Sequence, residues 1–193
     1  MELLSIASGS SGNCYYVGNE ETHLLVDAGV SGKKIETALN EIDRKPSDLN
    51  GILVTHEHID HVKGLGVMAR KHGIPIYTTG GTISEIKKMS SVGTIDDSLF
   101  HEIEPDEPFF INDLSIDASA IWHDAADPVC YSISDGKSKF SIATDMGNFD
   151  DYVVNKLKNS DIMVIEANHD IRMLQAGPYP YLSLIHISEP TRP

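Results

Sequence analysis

Three histidines and two carboxylates stand within six consecutive residues, His56-Glu57-His58-Ile59-Asp60-His61. Imidazole nitrogen together with carboxylate oxygen is the donor set zinc favours, and iron and manganese accept it too. His56 and His58 lie two apart at the end of the apolar run Gly51-Ile52-Leu53-Val54-Thr55, so extended backbone sends both imidazoles the same way. Asp60 and His61 follow in a loop or at a helix start. Four donors in six positions can serve two metals, His56 and His58 on one and Asp60 and His61 on the other. The plain alternative is a histidine-rich surface turn; the buried-looking strand leading into the run argues against it.

The elements that must position this run are short. Leu3 to Ala7 and Cys14 to Val17 read as strands joined by the turn Ser8-Gly9-Ser10-Ser11-Gly12-Asn13, and Leu24-Leu25-Val26 runs into Asp27-Ala28-Gly29. Ser31 can cap a helix on which Ile35, Leu39 and Ile42 recur at helical spacing. After the histidine run, Val62, Leu65, Met68 and Ala69 give another helical face ending near Gly73. A short strand, Ile74 to Tyr77, and a helix from Gly81 to Met89 follow. From Phe109 to Asp145 the pattern is mostly β: Ser115 to Trp122, Val129 to Ile133, a turn at Asp135-Gly136, and Phe140 to Thr144. Asp151 to Leu157 reads as a helix and Asp161 to Ile165 as a final strand. Strands alternating with helices, plus a hairpin section, indicate an α/β layered domain without internal repeats or a second-domain boundary.

The run matches the His-x-His-x-Asp-His signature of the metallo-β-lactamase superfamily, and the chain resembles that family from Met1 to about Tyr181. The resemblance implies an αββα sandwich whose C-terminal part is missing here. Asp27 is similar to the family's early strand-end aspartate, which supports the metal loop. His123, after Ala120-Ile121-Trp122, stands where the third histidine completes the first site, and Asp145, in Ala143-Thr144-Asp145, stands where an aspartate bridges both metals. The implied ligands are thus His56, His58, Asp60, His61, His123 and Asp145, holding two divalent ions: zinc by expectation, with manganese or iron as alternatives.

Two further segments narrow the resemblance. Ser8 to Tyr15 and Glu166-Ala167-Asn168-His169-Asp170 look like the YycJ/WalJ group, nuclease-type members associated with 5′-to-3′ DNA exonuclease activity and cell-wall homeostasis in Gram-positive bacteria. This implies a phosphodiesterase acting on DNA, with Asp60 orienting the attacking water and His169 contacting phosphate or moving a proton. Asn168 would support the site. The Ser8–Asn13 turn could offer backbone N–H groups to a phosphate or be a plain tight turn.

Past Tyr181 the family pattern would continue into a Gly-His-Leu-Ser-like segment that completes the second metal site. Residues 182–193 instead resemble sequencing-adaptor read-through, so the expected division is a domain over 1–181 and a non-native tail over 182–193. His186 lacks the family's flanking residues and is not counted as a ligand. The second metal is then expected to bind weakly and the chain as written to be poorly stable, and whether it is active stays open.

Composition sets the remaining bounds. A formal charge of −14 counts against nucleic-acid binding through Lys and Arg, although two bound dications would reverse the sign locally. Cys14 and Cys130 are too few for a disulfide framework and are expected to be buried free thiols. No apolar run approaches the roughly 18 residues of a membrane span, so a cytoplasmic protein without membrane association is expected. Other hydrolases on the same site (a small-molecule phosphodiesterase, a thioester or lactam hydrolase), a di-iron redox enzyme, and a regulatory scaffold in cell-wall signalling stay open.

Overall fold

Strand β2 (Cys14–Gly18) has no exposed residue. Its period of two sends Cys14 and Tyr16 into one apolar cluster and Tyr15 and Val17 into another. A strand buried on both faces requires cover above and below its sheet. The computed structural model, which describes residues 1–148 and 150–165, supplies it in four layers.

The first sheet runs in the order β1 (Glu2–Ala7), β2, β3 (His23–Val26), β4 (Gly51–Leu53), β5 (Ile76–Thr78) and β6 (Phe100–Glu102). Its first three strands are antiparallel, and β3 to β6 are parallel. The second sheet comprises β7 (Phe109–Ile111), β8 (Leu114–Ala120), β9 (Val129–Ser134), β10 (Lys139–Ala143) and β11 (Ile162–Ile165), antiparallel except for the β10–β11 pair. Between the sheets lie Tyr15, Val17, Leu24, Val26, Leu53, Ile116, Tyr131, Ile133 and Ile142. Helices α1 (Gly32–Glu41), α3 (Leu65–His72) and α4 (Gly80–Lys88) cover the outer face of the first sheet through Ile35, Leu39, Leu65, Met68 and Ile86. On the outer face of the second, α5 (Asp151–Leu157) places Val153 and Leu157 on Ile121, Cys130 and Ala143. This is the expected αββα sandwich. Cys14 and Cys130 are buried free thiols, and no helix among the described residues is long and apolar enough to cross a membrane.

Ser31 caps α1, accepting from Lys34 N, and Gly73 ends α3 at φ 67°, both as the residue types predict. The structure departs from the sequence pattern in three places. The face Val62–Ala69 belongs to two helices, α2 (Ile59–Val62) and α3, because Gly64 N–H turns away to Ala28 O at 2.7 Å. A Cβ on Gly64 would stand 2.2 Å from Val30 O, so only glycine permits this approach. Strand β4 stops short of Thr55, whose N–H leaves the ladder for the Asp27 carboxylate. Strand β6, three residues long, is too short for a periodic signal. The segment Glu166–Asp170, with Asn168 and His169, and residues 182–193, with His186, lie outside the described residues.

The sheets are joined next to the histidine run. Tyr131, fully buried on β9, donates its hydroxyl to Val54 O at 3.0 Å, and Val129 N donates to Thr55 O at 3.0 Å. Tyr131→Phe should lower stability by about 1 kcal/mol, since Val54 O keeps only its Thr78 hydroxyl bond. Thermal unfolding should register this as a fall of about 3 °C in Tm; an unchanged Tm would show that the bond does not couple the sheets.

Candidate metal centre

Asp27 ends β3 with φ 60° and is fully buried. Its Oδ1 accepts Thr55 N at 2.8 Å, and its Oδ2 lies 2.9 Å from Thr55 Oγ1 and 2.8 Å from His61 Nδ1. The backbone repeats the stitching: Ala28 N donates to His61 O, Asn13 N to Asp60 O, and Gly29 N to Asn13 O. A Cβ on Gly29 would lie 1.6 Å from Asp60 O, so the β3 end and the histidine run touch backbone to backbone. Three loops, after β1, β3 and β4, are thereby fastened into one body.

This frame fixes the imidazoles. Thr55 gives its hydroxyl hydrogen to Asp27, so its oxygen accepts from His56 Nδ1 at 3.0 Å. His56 Nε2 is then a bare lone pair, and it is buried with no hydrogen-bond partner. Buried acceptors are normally satisfied; a lone pair aimed among other donors fits a cation. His56, His58 and His123 bring one nitrogen each within 4.8 Å of one another, and His56, His61 and Asp145 do the same with two nitrogens and a carboxylate oxygen. His123 Nε2 lies 3.1 Å from His58 Nδ1. Asp145, at φ 56°, brings Oδ2 to 3.0 Å from His61 Nε2, without a hydrogen bond's alignment.

Electrostatics separates the rings. Burial, helped by the neighbouring His61, His123 and His58, pushes the His56 pKa well below its usual value. Burial and the His58 charge bring His123 down to about 4. Burial acts the same way on His61, but the Asp27 charge and the close contacts with Asp145 and Asp27 outweigh it and hold His61 up at about 10. Asp145 is lowered: burial would raise it, and the close contact with His61 and its charge win. His56 and His123 are therefore neutral and ready to ligate at pH 7, whereas His61 must first lose a proton.

All six residues singled out in the sequence for metal come to one end of the sandwich. Asp60 is the outlier: its carboxylate stands 3.6 Å from His61 Nε2 and belongs to neither close group. It lines a cavity of about 200 Å³ together with Ser8, Gly9, Ser10, Asn13, Tyr15, Thr144 and Asp145. The Ser8–Asn13 turn is thus a wall of this cavity. Thr55 was not singled out from the sequence, though a polar residue closing an apolar strand just before His56 is a signal of sorts. The Asn13 amide was also missed. Its Oδ1 accepts Gly9 N at 3.0 Å, and its Nδ2 lies 3.0 Å from His61 Nε2, which it can donate to once that ring is neutral.

The β-lactamase superfamily domain matches residues 22–188. This chain belongs to that superfamily. Exodeoxyribonuclease WalJ of Streptococcus pneumoniae is 41% identical over 176 residues, which are 91% of this chain and 65% of that protein. Exodeoxyribonuclease YycJ of Bacillus anthracis is 38% identical over 176 residues, covering 91% and 66%. The chain therefore spans about 65% of the length of these superfamily relatives. Among solved structures, zinc-bound PqqB from Methylobacterium extorquens shares the fold at TM-score 0.69 and 16% identity, over 87% of this chain and 64% of that one. Both donor groups lie within the residues matched by the superfamily domain.

Asp27→Asn tests the frame without metal. An amide can still accept from Thr55 N but offers N–H, not a lone pair, to His61 Nδ1. In the metal-free protein the wild-type ring should stay protonated up to about pH 10. The variant should lower that titration, leave a neutral ring with its proton on Nε2, and cost about 3 kcal/mol. Nitrogen-15 NMR of the imidazoles and urea unfolding read both effects; an unaltered His61 titration would show that Asp27 does not govern the ring.

Proposed function

We propose that this site binds two divalent metals, zinc in preference to manganese or iron, and that the protein is a phosphodiesterase acting on DNA as a 5′-to-3′ exonuclease linked to cell-wall homeostasis. The observation that carries the reading is the buried, unpartnered His56 Nε2 at the junction of two donor groups. Its setting in a chain 41% identical to an exodeoxyribonuclease supplies the substrate class. Cytoplasmic residence accords with two buried free thiols, which suit a reducing compartment.

In this reading His56, His58 and His123 would hold one ion, and His61 with Asp145 and Asp60 would hold the other. Bound there, the ions would supply Lewis acidity and an acidified water for hydrolysis. The chain's own residues do the rest. Asp27 and Thr55 orient His56 and His61. Asp60, 27% exposed and facing the cavity, orients the water for attack. The Ser8–Ser10 hydroxyls and backbone amides face the phosphate, and His169 remains the proposed phosphate contact or proton carrier.

On 5′-labelled duplex DNA, Asp60→Ala should reduce kcat about 100-fold or more while the fold, followed by circular dichroism, survives. Unchanged turnover would refute its role. Chelation should abolish digestion, with zinc or manganese restoring it. A preparation that hydrolyses small phosphodiesters or lactams but leaves DNA intact would redirect the substrate assignment.

A further inference from the structure

We propose that Glu57, between the two histidines of the run, is a positioning residue that clamps the His123 loop onto the metal loop. The inference rests on reading His56, His58 and His123 as a metal site. In extended backbone the side chain between His56 and His58 leaves on the opposite side from theirs. Glu57 accordingly reaches across 69 positions of sequence, and its Oε1 accepts Ala126 N at 2.8 Å. Ala126 lies three residues beyond His123, in the connection between β8 and β9.

That connection needs holding. Before His123, Trp122 O accepts Gly147 N at 2.8 Å. After it, His123 O accepts Ala125 N at 3.0 Å in a tight turn; further along, Asp127 O accepts the Thr79 hydroxyl at 2.8 Å, and Val129 N donates to Thr55 O at 3.0 Å. Beside these, the Glu57 bond joins the stretch after His123 directly to the run it must face. Loops are mobile unless tied, and His123 Nε2 has to meet His58 Nδ1 at 3.1 Å.

A second observation concerns the other carboxylate oxygen. Glu57 Oε2 is buried with no partner. Excluding a carboxylate oxygen from water is costly, and a glutamate serving only solubility would turn it outward. The side chain is held inward by the bond its first oxygen makes, which is what a clamp requires.

The test compares the full chain with Glu57→Gln, Glu57→Ala and the near-isosteric Glu57→Met. Gln keeps a carbonyl acceptor; Ala and Met do not. Hydrogen exchange at Ala126, measured without metal, should be wild-type in Gln and clearly accelerated in Ala and Met. Cobalt(II) titration, followed by its visible spectrum, should show the tighter-binding ion weakened about 10- to 100-fold in Ala and Met and restored in Gln. Unchanged exchange at Ala126 in both acceptor-free variants overturns the clamp. So does faster exchange with wild-type cobalt affinity, and so does a Gln variant as impaired as Ala, which would assign the effect to charge. If the wild-type chain binds no cobalt, the metal-site reading fails instead, and the exchange data alone decide whether the clamp exists.

Discussion

The contact on which the site depends is the buried Asp27 carboxylate with Thr55 and His61. A fully buried charge is tolerated only when paired and hydrogen-bonded, and here the protein supplies a backbone N–H, a hydroxyl and an imidazole from one seven-residue stretch, Thr55 to His61. Satisfying Asp27 therefore forces the end of β4 and the start of α2 into one arrangement. The same arrangement sets which nitrogen of His56 and which of His61 faces the cavity. The energetic need to bury a carboxylate and the chemical need to aim two lone pairs are met by one set of bonds.

Strain and close approach enforce it. Asp27 and Asp145 both sit at positive φ, at the C-terminal ends of β3 and β10, one in each sheet. Non-glycine residues adopt that conformation at a cost and persist there when surroundings over-determine them. At each strand end the turn brings the carboxylate to the histidine run, Asp27 to Thr55 and His61 and Asp145 to His61. Gly29 and Gly64, where added side-chain atoms would collide with Asp60 O and Val30 O, let the loops pack that closely.

Much of this was legible in the sequence because its signals are local. The apolar runs of β2 to β4 and the Ser31 cap report directly on burial and hydrogen bonding, and the four spaced donors His56, His58, Asp60 and His61 report on metal affinity, whereas His123 and Asp145 stood out only through the family resemblance. What could not be read depends on contacts distant in sequence. Glu57 looks like a surface residue until Ala126 is brought to it. Thr55 looks like the last residue of a strand until Asp27 diverts its N–H. The split between α2 and α3 follows from Ala28 reaching Gly64, which no helical period encodes. Asp60 shows the converse limit: spacing assigned it to a ligand pair with His61, whereas the geometry brings His56 and Asp145 closer to that ring.

The acidity of the chain then takes on a definite meaning. Among the described residues, the cavity beside the donors is lined by Asp60, Asp145, two serines, a threonine, a tyrosine and an asparagine, with Gly9, Val164 and Ile165, and none of these is Lys or Arg. A phosphodiester approaching the metal-free site would meet two carboxylates, with the His61 charge already engaged by Asp27 and Asp145. Under the proposed function, attraction for phosphate has to arrive with the dications, and the net charge of −14 does not weigh against a nucleic-acid substrate as it would for a protein that grips DNA through basic side chains. The depressed His56 and His123 pKa values fit this division of labour: neutral imidazoles leave room for cation charge, and the carboxylates of Asp27, Asp60 and Asp145 offset it once it is there.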